Sequence, residues 1–134
     1  MDLRKIAVEE TSTLHLLDAS DNPLYDGKDK PVTVTLYGPG SKAYARAQAA
    51  RNNRVMDKLR KKGKADQTAE QTAEENALFL SACTISMSNI EYDKLEGEAL
   101  FKAVYSDTSI GFIAEQVGKH LGEWGNFTKP AVKV

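Results

Sequence analysis

The residues most able to do chemistry in this chain form a glycine-rich turn, Gly38-Pro39-Gly40-Ser41-Lys42. In a phosphate-binding loop, backbone N–H groups surround the phosphates and a Lys reaches over them. Such a loop has a fixed length and ends in Gly-Lys-Ser/Thr. Here the order is Gly-Ser-Lys, and Thr35 stands where the first glycine would be. We therefore interpret the glycines as a strand-to-helix turn.

The other candidates for metal or nucleophilic chemistry are scattered. His15 alternates with leucines in a strand pattern, and His120 lies on the polar side of a predicted helix. No second histidine or cysteine stands near either of them at metal-binding spacing. Cys83 stands among small and apolar residues, which indicates an inert buried thiol. Glu74 and Glu75 are adjacent and point to different sides of a helix. We expect no metal, no cofactor and no catalytic residue, hence not an enzyme, although carboxylates brought together from distant segments are an open alternative.

Positive charge is the most informative feature of the sequence. Residues 42–64 contain nine basic residues against Asp57 alone, whereas residues 66–98 contain eight acidic residues against Lys94 alone, within a net charge of -1. A cationic stripe can neutralise the phosphates of a nucleic acid. The basic helix holds a single aromatic residue, however, and the chain has a pI near 6.1, and both features count against nucleic-acid binding. We expect protein contacts and charge pairing between subunits, with pairing inside the chain and nucleic-acid binding as alternatives. The basic residues expected to make these contacts are Arg46, Arg51, Arg54, Lys58 and Lys61.

Hydrophobic periodicity predicts the elements that position these charges. Alternating apolar and polar residues at 11–17 and 32–37 predict two antiparallel strands in a β-ribbon over 10–37. The turn-rich connection over 18–31 is longer than a tight hairpin and predicts a flexible arm. No internal repeat stands out. A lone two-stranded ribbon is marginally stable, so its apolar face must rest on helices or on another subunit.

Three main helices are predicted after the ribbon. The basic helix covers 41–62, with Ser41 as its N-cap; a second helix covers 68–88; C-terminal helices cover 97–127, and 128–134 is a flexible tail. The fold class is α+β, mostly α-helical, in a single domain over 1–134. The last helical region has an apolar stripe that serves either as core, the favoured interpretation, or as a docking face. It includes Ile113, Val117, Leu121, Trp124 and Phe127.

The sequence also indicates in which cellular compartment the protein resides and whether it contacts a membrane. One cysteine cannot form an intramolecular disulfide, and the N-terminal residues lack the apolar stretch of a secretory signal. No run approaches the roughly 20 apolar residues that cross a bilayer. We expect a protein of the cytoplasm with no membrane partner.

Three segments, taken in order, carry a family resemblance. They are "TVTLYGPGSKAYARAQAAR", "TAEENALFLSACTISMSNIEYDKLEGE" and "AVYSDTSIGFIAEQVGKHLGEWGNF". Together they resemble the tail assembly chaperones of long-tailed bacteriophages, over about 11–127. The sequence departs from that pattern at Pro39-Gly40, where an acidic residue often precedes the serine, and at Ile90, where a bulkier aromatic residue would be expected.

The resemblance implies a function that no single motif specifies. It implies a non-catalytic protein of the host cytoplasm that binds the tape measure protein and helps the tail-tube protein assemble around it. A homo-oligomer is expected. The rival interpretations are a structural virion protein, such as a head–tail connector or tail terminator, and a small nucleic-acid-binding regulator.

Overall fold

The computed structural model of the chain describes residues 1–62 and 69–128. Within these ranges an antiparallel sheet of three strands packs against four α-helices, so the predicted α+β, mostly helical fold class is confirmed. The strands are β1 Thr11–His15, β2 Thr33–Tyr37 and β3 Thr84–Ser88. The helices are α1 Lys42–Lys62, α2 Ala69–Ala82, α3 Gly97–Ser106 and α4 Gly111–Leu121. Short 3-10 turns occupy Leu3–Ile6, Thr108–Ile110 and Trp124–Phe127.

The two predicted strands pair as expected from their alternation. β1 and β2 are antiparallel, with Leu14 opposite Val34 and Thr13 opposite Thr35. Val34 and Leu36 are fully buried, while the Thr13 and Thr35 hydroxyls hydrogen-bond each other at 3.1 Å on the outer side of the ribbon. One face of the sheet therefore joins the helical core, as the period of two requires.

The connection between β1 and β2 is an internal repeat, which corrects the prediction of a flexible arm without repetition. Residues 16–23 read LLDASDNP and residues 24–31 read LYDGKDKP. In each octapeptide an Asp carboxylate accepts backbone N–H groups two and four residues later, at 2.8–3.0 Å. The second Asp of each copy, Asp21 or Asp29, is left-handed, with φ of 64° and 59°. Asp tolerates that conformation and favours such turns, so each repeat is a closed loop.

Three residues spaced eight apart close the repeat into a ring of hydrogen bonds. The Leu16 N–H donates to Val32 O at 2.9 Å, the Leu24 N–H to Leu16 O at 2.9 Å, and the Val32 N–H to Leu24 O at 3.0 Å. We call residues 16–32 the octapeptide clasp. Its link to α4 is the Gln116 amide, which accepts the Leu17 N–H at 2.8 Å and donates to Leu17 O at 2.9 Å. The clasp is thus fixed to the core at one edge.

The strand-to-helix turn after β2 is set by steric contact and by a cap. Phe127 packs so closely on Gly38 that a Cβ there would overlap its ring. The Ser41 hydroxyl donates to Gly38 O at 2.8 Å and accepts the Tyr44 N–H at 3.1 Å, which confirms Ser41 as the N-cap of α1. The predicted bounds of the basic helix agree with Lys42–Lys62.

The predicted second helix over 68–88 is wrong at its C-terminal end. α2 ends at Ala82. The Cys83 N–H still bonds to Phe79 O and Leu80 O, and the Thr84 hydroxyl then donates to Leu80 O at 2.7 Å and caps this carbonyl at the helix end. The chain then becomes β3 and pairs with β2, with an irregularity between Thr35 and Leu36. β-branched Thr84 and Ile85 suit a pleated strand better than a helix. The predicted two-stranded ribbon is therefore a three-stranded sheet.

The C-terminal segment predicted as helical over 97–127 forms α3 and α4 with two 3-10 turns. Asp107 separates the helices, because its carboxylate accepts the Ser109 hydroxyl at 2.6 Å, the Tyr92 hydroxyl at 2.9 Å and the Ser109 N–H at 2.9 Å. These hydrogen bonds stabilise the anion and lower the pKa of Asp107. Residues 63–68, which include the predicted start of the second helix, lie outside the described residues. So do residues 129–134 of the predicted tail.

Candidate functional site

The five basic residues predicted to bind a partner divide between exposed and half-buried positions of α1. Arg46 is exposed on the outer face of the helix, and Lys61 is exposed near its C-terminal end, seven residues after Arg54 and on the same side. Arg51, Arg54 and Lys58 are half-buried and follow one another at three- and four-residue spacing on the face turned to α2. The set therefore does not act as one continuous exposed surface.

Arg54 makes an ion pair inside the chain. Its Nε donates to the two Glu75 carboxylate oxygens at 2.5 and 3.0 Å, and the Glu75 residue is only 6% exposed. The buried Arg54 Nη2 has no hydrogen-bond partner among the residues described. The charge of Arg54 therefore holds α2 against α1, and its contact with a partner stays a prediction. Of the alternatives left open by the sequence, pairing inside the chain holds for this residue.

The five apolar C-terminal residues also divide. Ile113, Val117, Leu121 and Phe127 are at most 6% exposed and belong to the hydrophobic core, which confirms the favoured interpretation. These four residues therefore pack inside the chain, and Leu121 also lines the groove described next. Trp124 is 57% exposed and is the member of the set that a partner can reach.

A groove of about 380 Å³ lies between α1, α2 and α4, and we call it the three-helix groove. Its floor is apolar and its rim is polar. The lining residues are Tyr44, Gln48, Arg51, Asn76, Phe79, Leu80, Ala114, Glu115, Gly118, Lys119, Leu121 and Gly122. The groove thus contains Arg51 and Leu121 from the predicted set, together with residues on three separate helices that sequence periodicity did not connect.

Aromatic rings hold the floor of the three-helix groove in place. The Tyr44 and Phe79 rings meet edge to face, with centroids 5.7 Å apart and an interplanar angle of 79°. The Arg51 guanidinium lies 5.1 Å from the centroid of Phe79, and its Nη2 donates a long hydrogen bond of 3.4 Å to the Asn76 side chain. A cation over an aromatic face contributes about 0.5–1 kcal/mol at an exposed site. Arg51 is therefore fixed at the rim, with its charge beside an apolar surface.

The α4 wall of the groove lacks large side chains. Ala114, Gly118 and Gly122 recur every four residues and so lie on one face of the helix. An ideal Cβ at Gly118 would meet no atom within 4 Å in the described part of the chain. A helix-interior glycine is less stable than alanine by about 0.5–1 kcal/mol. No described neighbour occupies the space where a side chain at Gly118 would lie, so this space is available to the backbone of another polypeptide.

Three titratable side chains outside the groove, Cys83, His15 and His120, serve structural contacts. Cys83 is fully buried, and burial raises the pKa of its thiol to about 12. The His15 Nε2 hydrogen-bonds to Leu24 O at 2.8 Å inside the octapeptide clasp, and the His120 Nε2 to the Ser12 hydroxyl at 3.0 Å. Over residues 1–62 and 69–128, His, Cys, Asp and Glu side chains form no group of three that could hold a metal ion.

Comparison with protein-family models, with curated proteins and with solved structures finds no match for this chain. In the part of the chain that the structure describes, every helix is too short or too polar to cross a membrane.

Proposed function

We propose that this protein is a bacteriophage tail assembly chaperone that binds a helical segment of the tape measure protein in the three-helix groove. The observation that carries the proposal is the groove itself, with its aromatic floor and its open wall at Gly118. The order of the three sequence segments that resemble this family supports the same function. The role is non-catalytic and takes place in the host cytoplasm, where the tail-tube protein and further copies of the chain are additional partners.

An amphipathic helix fits the chemistry of the three-helix groove. Such a helix presents apolar side chains at positions i, i+3, i+4 and i+7, and these would contact Tyr44, Phe79 and Leu80. Its backbone could come close to α4 where Gly118 has no side chain. Arg51 and Lys119 on the rim outnumber Glu115, which favours acidic residues at the flanks of the client helix.

The test is co-expression with the tape measure protein encoded in the same genome. Gly118→Met should fill the groove while leaving the fold intact, since an added Cβ meets open space and Gly118 lines the groove. The matched control is Gly111→Met, because Gly111 opens the same helix, also faces open space and does not line the groove. We expect the Gly118 variant to recover at most a tenth as much tape measure protein, equivalent to about 1.4 kcal/mol, and the control to match the parent. Equal recovery by both variants would contradict the proposal.

Composition of the finished virion separates the chaperone from its structural rival. A chaperone leaves the tail when assembly is complete, whereas a head–tail connector or tail terminator stays in the particle. We expect mass spectrometry of purified virions to detect the tube and tape measure proteins without this chain. Its recovery at a fixed copy number per virion would favour the structural role.

Nucleic-acid binding is tested by salt titration. The exposed basic residues Arg46, Arg60 and Lys61 are the ones available to phosphates. We expect no salt-dependent gel shift of DNA or RNA at micromolar protein concentration. Tight binding that weakens steeply with salt would instead support the regulator.

A further inference from the structure

A second groove, of about 880 Å³, borders the outer edge of β3 and shares no lining residue with the three-helix groove. The strand order is β1-β2-β3, so one edge of β3 is unpaired within the described chain. We call this second groove the edge groove. Its apolar lining includes Ile85, Met87, Leu95, Leu100 and Phe101.

The two outer strands of the sheet differ in how they are covered. Next to β1, the Glu9 N–H donates to Phe127 O at 2.7 Å and Ser12 bonds to His120, so the C-terminal turn and α4 lie against that side. β3 has the sequence TISMS, without a charge or a proline. Ile85 is 39% exposed on it. Edge strands that avoid pairing usually carry lysine, proline, a bulge or a covering segment. β3 contains no lysine or proline, and its irregularity is a single residue, Ile85, left without a partner between Thr84 and Ser86.

The rim of the edge groove is acidic and has an unusual backbone. Glu91, Asp93 and Glu96 are exposed there, against the single base Lys94. Asp93 and Lys94 are consecutive left-handed residues, with φ of 49° and 58°. Asp tolerates this conformation, whereas Lys94 is strained in it, and such strain occurs preferentially at binding sites. The rim therefore offers fixed negative charge beside an unpaired strand.

We propose that the edge groove binds an extended polypeptide segment in which apolar and basic side chains alternate. The segment would add to the sheet by hydrogen-bonding its backbone to β3. Since successive side chains of a strand point to opposite sides, one set would contact Ile85 and Met87 while the basic set approaches Glu91 and Glu96. An acidic segment and a phosphate backbone are both repelled by this rim. The occupant is extended and basic, unlike the helix proposed for the three-helix groove, so this inference does not rest on the proposed function.

Binding is tested with fluorescein-labelled synthetic heptapeptides and the full chain. In one peptide valine and lysine alternate, and in the other valine and glutamate alternate. Fluorescence anisotropy should show saturable binding of the lysine peptide that weakens with added salt. The glutamate peptide should bind at least tenfold more weakly. Absence of binding by the lysine peptide, or equal binding of the two, would overturn the proposal.

Matched variants locate the peptide on the protein. Glu91→Lys, Asp93→Asn and Glu96→Lys combined should weaken binding of the lysine peptide at least tenfold. The control makes the same change of net charge at exposed positions elsewhere, with Glu10→Lys, Asp57→Asn and Glu74→Lys, and should alter the affinity less than twofold. Ile85→Lys should also weaken binding, because a charge on the edge opposes strand addition.

NMR locates the bound peptide independently, since amide chemical shifts should change in residues 84–96 when the lysine peptide is added. Equal loss of binding in both triple variants, or shifts confined to α1, would overturn the assignment.

Discussion

At the scale of single residues, two glycines have opposite environments and so give opposite predictions. Gly38 lies against the Phe127 ring with no room for a Cβ, while Gly118 faces open space. Gly38→Ala should lower the free energy of unfolding by about 1–3 kcal/mol, as overpacking does. Gly118→Ala should raise it by about 0.5–1 kcal/mol, because alanine is the better helix former. Urea denaturation measures both, and a destabilised Gly118→Ala would show that an unrecognised contact uses that space.

His120 gives the fold a pH dependence near neutrality. Its ring is half-buried, 5.3 Å from the Phe127 ring, and burial lowers its pKa below 6.5 although Glu123 opposes the shift. The unfolded chain therefore takes up a proton more readily, and the free energy of unfolding should fall as pH drops from 6.5 through the lower pKa of the folded state.

Replacement tests this assignment. His120→Gln should flatten the stability profile below pH 6.5, as followed by chemical denaturation at each pH. The carboxylates of Asp18 and Asp26 accept backbone N–H groups that lower their pKa values below 3.8, so they act only in stronger acid. An unchanged profile in the variant would assign the pH dependence to another group.

At the scale of elements, the Arg54–Glu75 pair joins α1 to α2. Removing one partner leaves the other charge partly buried, whereas removing both leaves an apolar contact. Because Arg54 remains a third exposed, we expect Glu75→Leu alone to reduce the free energy of unfolding by about 1–3 kcal/mol, less than for a fully buried pair. The double variant Arg54→Met/Glu75→Leu should recover most of that loss. A thermodynamic cycle by urea unfolding measures the coupling, and additive losses would contradict the pairing.

The elements that sequence predicts well are those whose pattern is local. The alternation of Val34 and Leu36 and the cap at Ser41 each depend on neighbouring residues, and both agree with the structure. β3 was missed because Cys83 to Ser86 continue the apolar spacing of α2, and the strand exists only through pairing with β2. The octapeptide clasp did leave a signal, since Leu16, Leu24 and Val32 recur every eight residues. A search for short repeats within turn-rich segments would have found it.

The candidate site was less predictable than the fold. Helical spacing places Arg51 and Arg54 on one face of α1, but both faces carry basic residues, so the sequence does not show which one meets α2. Arg51 lines the three-helix groove together with Phe79 and Gly118, which lie 28 and 67 residues after it in the sequence. Their meeting is a consequence of helix packing, which local patterns do not encode.

At the scale of the whole molecule, charge and shape divide the surface into separate regions. The outer face of α1 is basic, the three-helix groove is apolar with Arg51 at its rim, and the edge groove is apolar with an acidic rim. Complementary regions on one molecule permit contacts with several partners, including a second copy. Charge on such surfaces acts more through specificity and association rate than through affinity. The segregation of charge seen in the sequence is therefore maintained in three dimensions, except where Arg54 neutralises Glu75.

The exposed and the half-buried basic residues of α1 predict different results when their charges are reversed. Arg46, Arg60 and Lys61 are exposed, and exposed charges contribute about 0–1 kcal/mol each, so their joint change to Glu should preserve the thermal midpoint. If the outer face contacts another copy or the tail-tube protein, that variant should sediment as a smaller species at low salt or lose co-purification. Arg51, Arg54 and Lys58 changed together to Glu should instead lower the thermal midpoint, because Glu75 would face a like charge and Phe79 would lose its cation. Differential scanning calorimetry and sedimentation velocity separate the two effects. Equal thermal loss in both triple variants would show that the outer charges also hold the fold together, and would remove the outer face as an interaction surface.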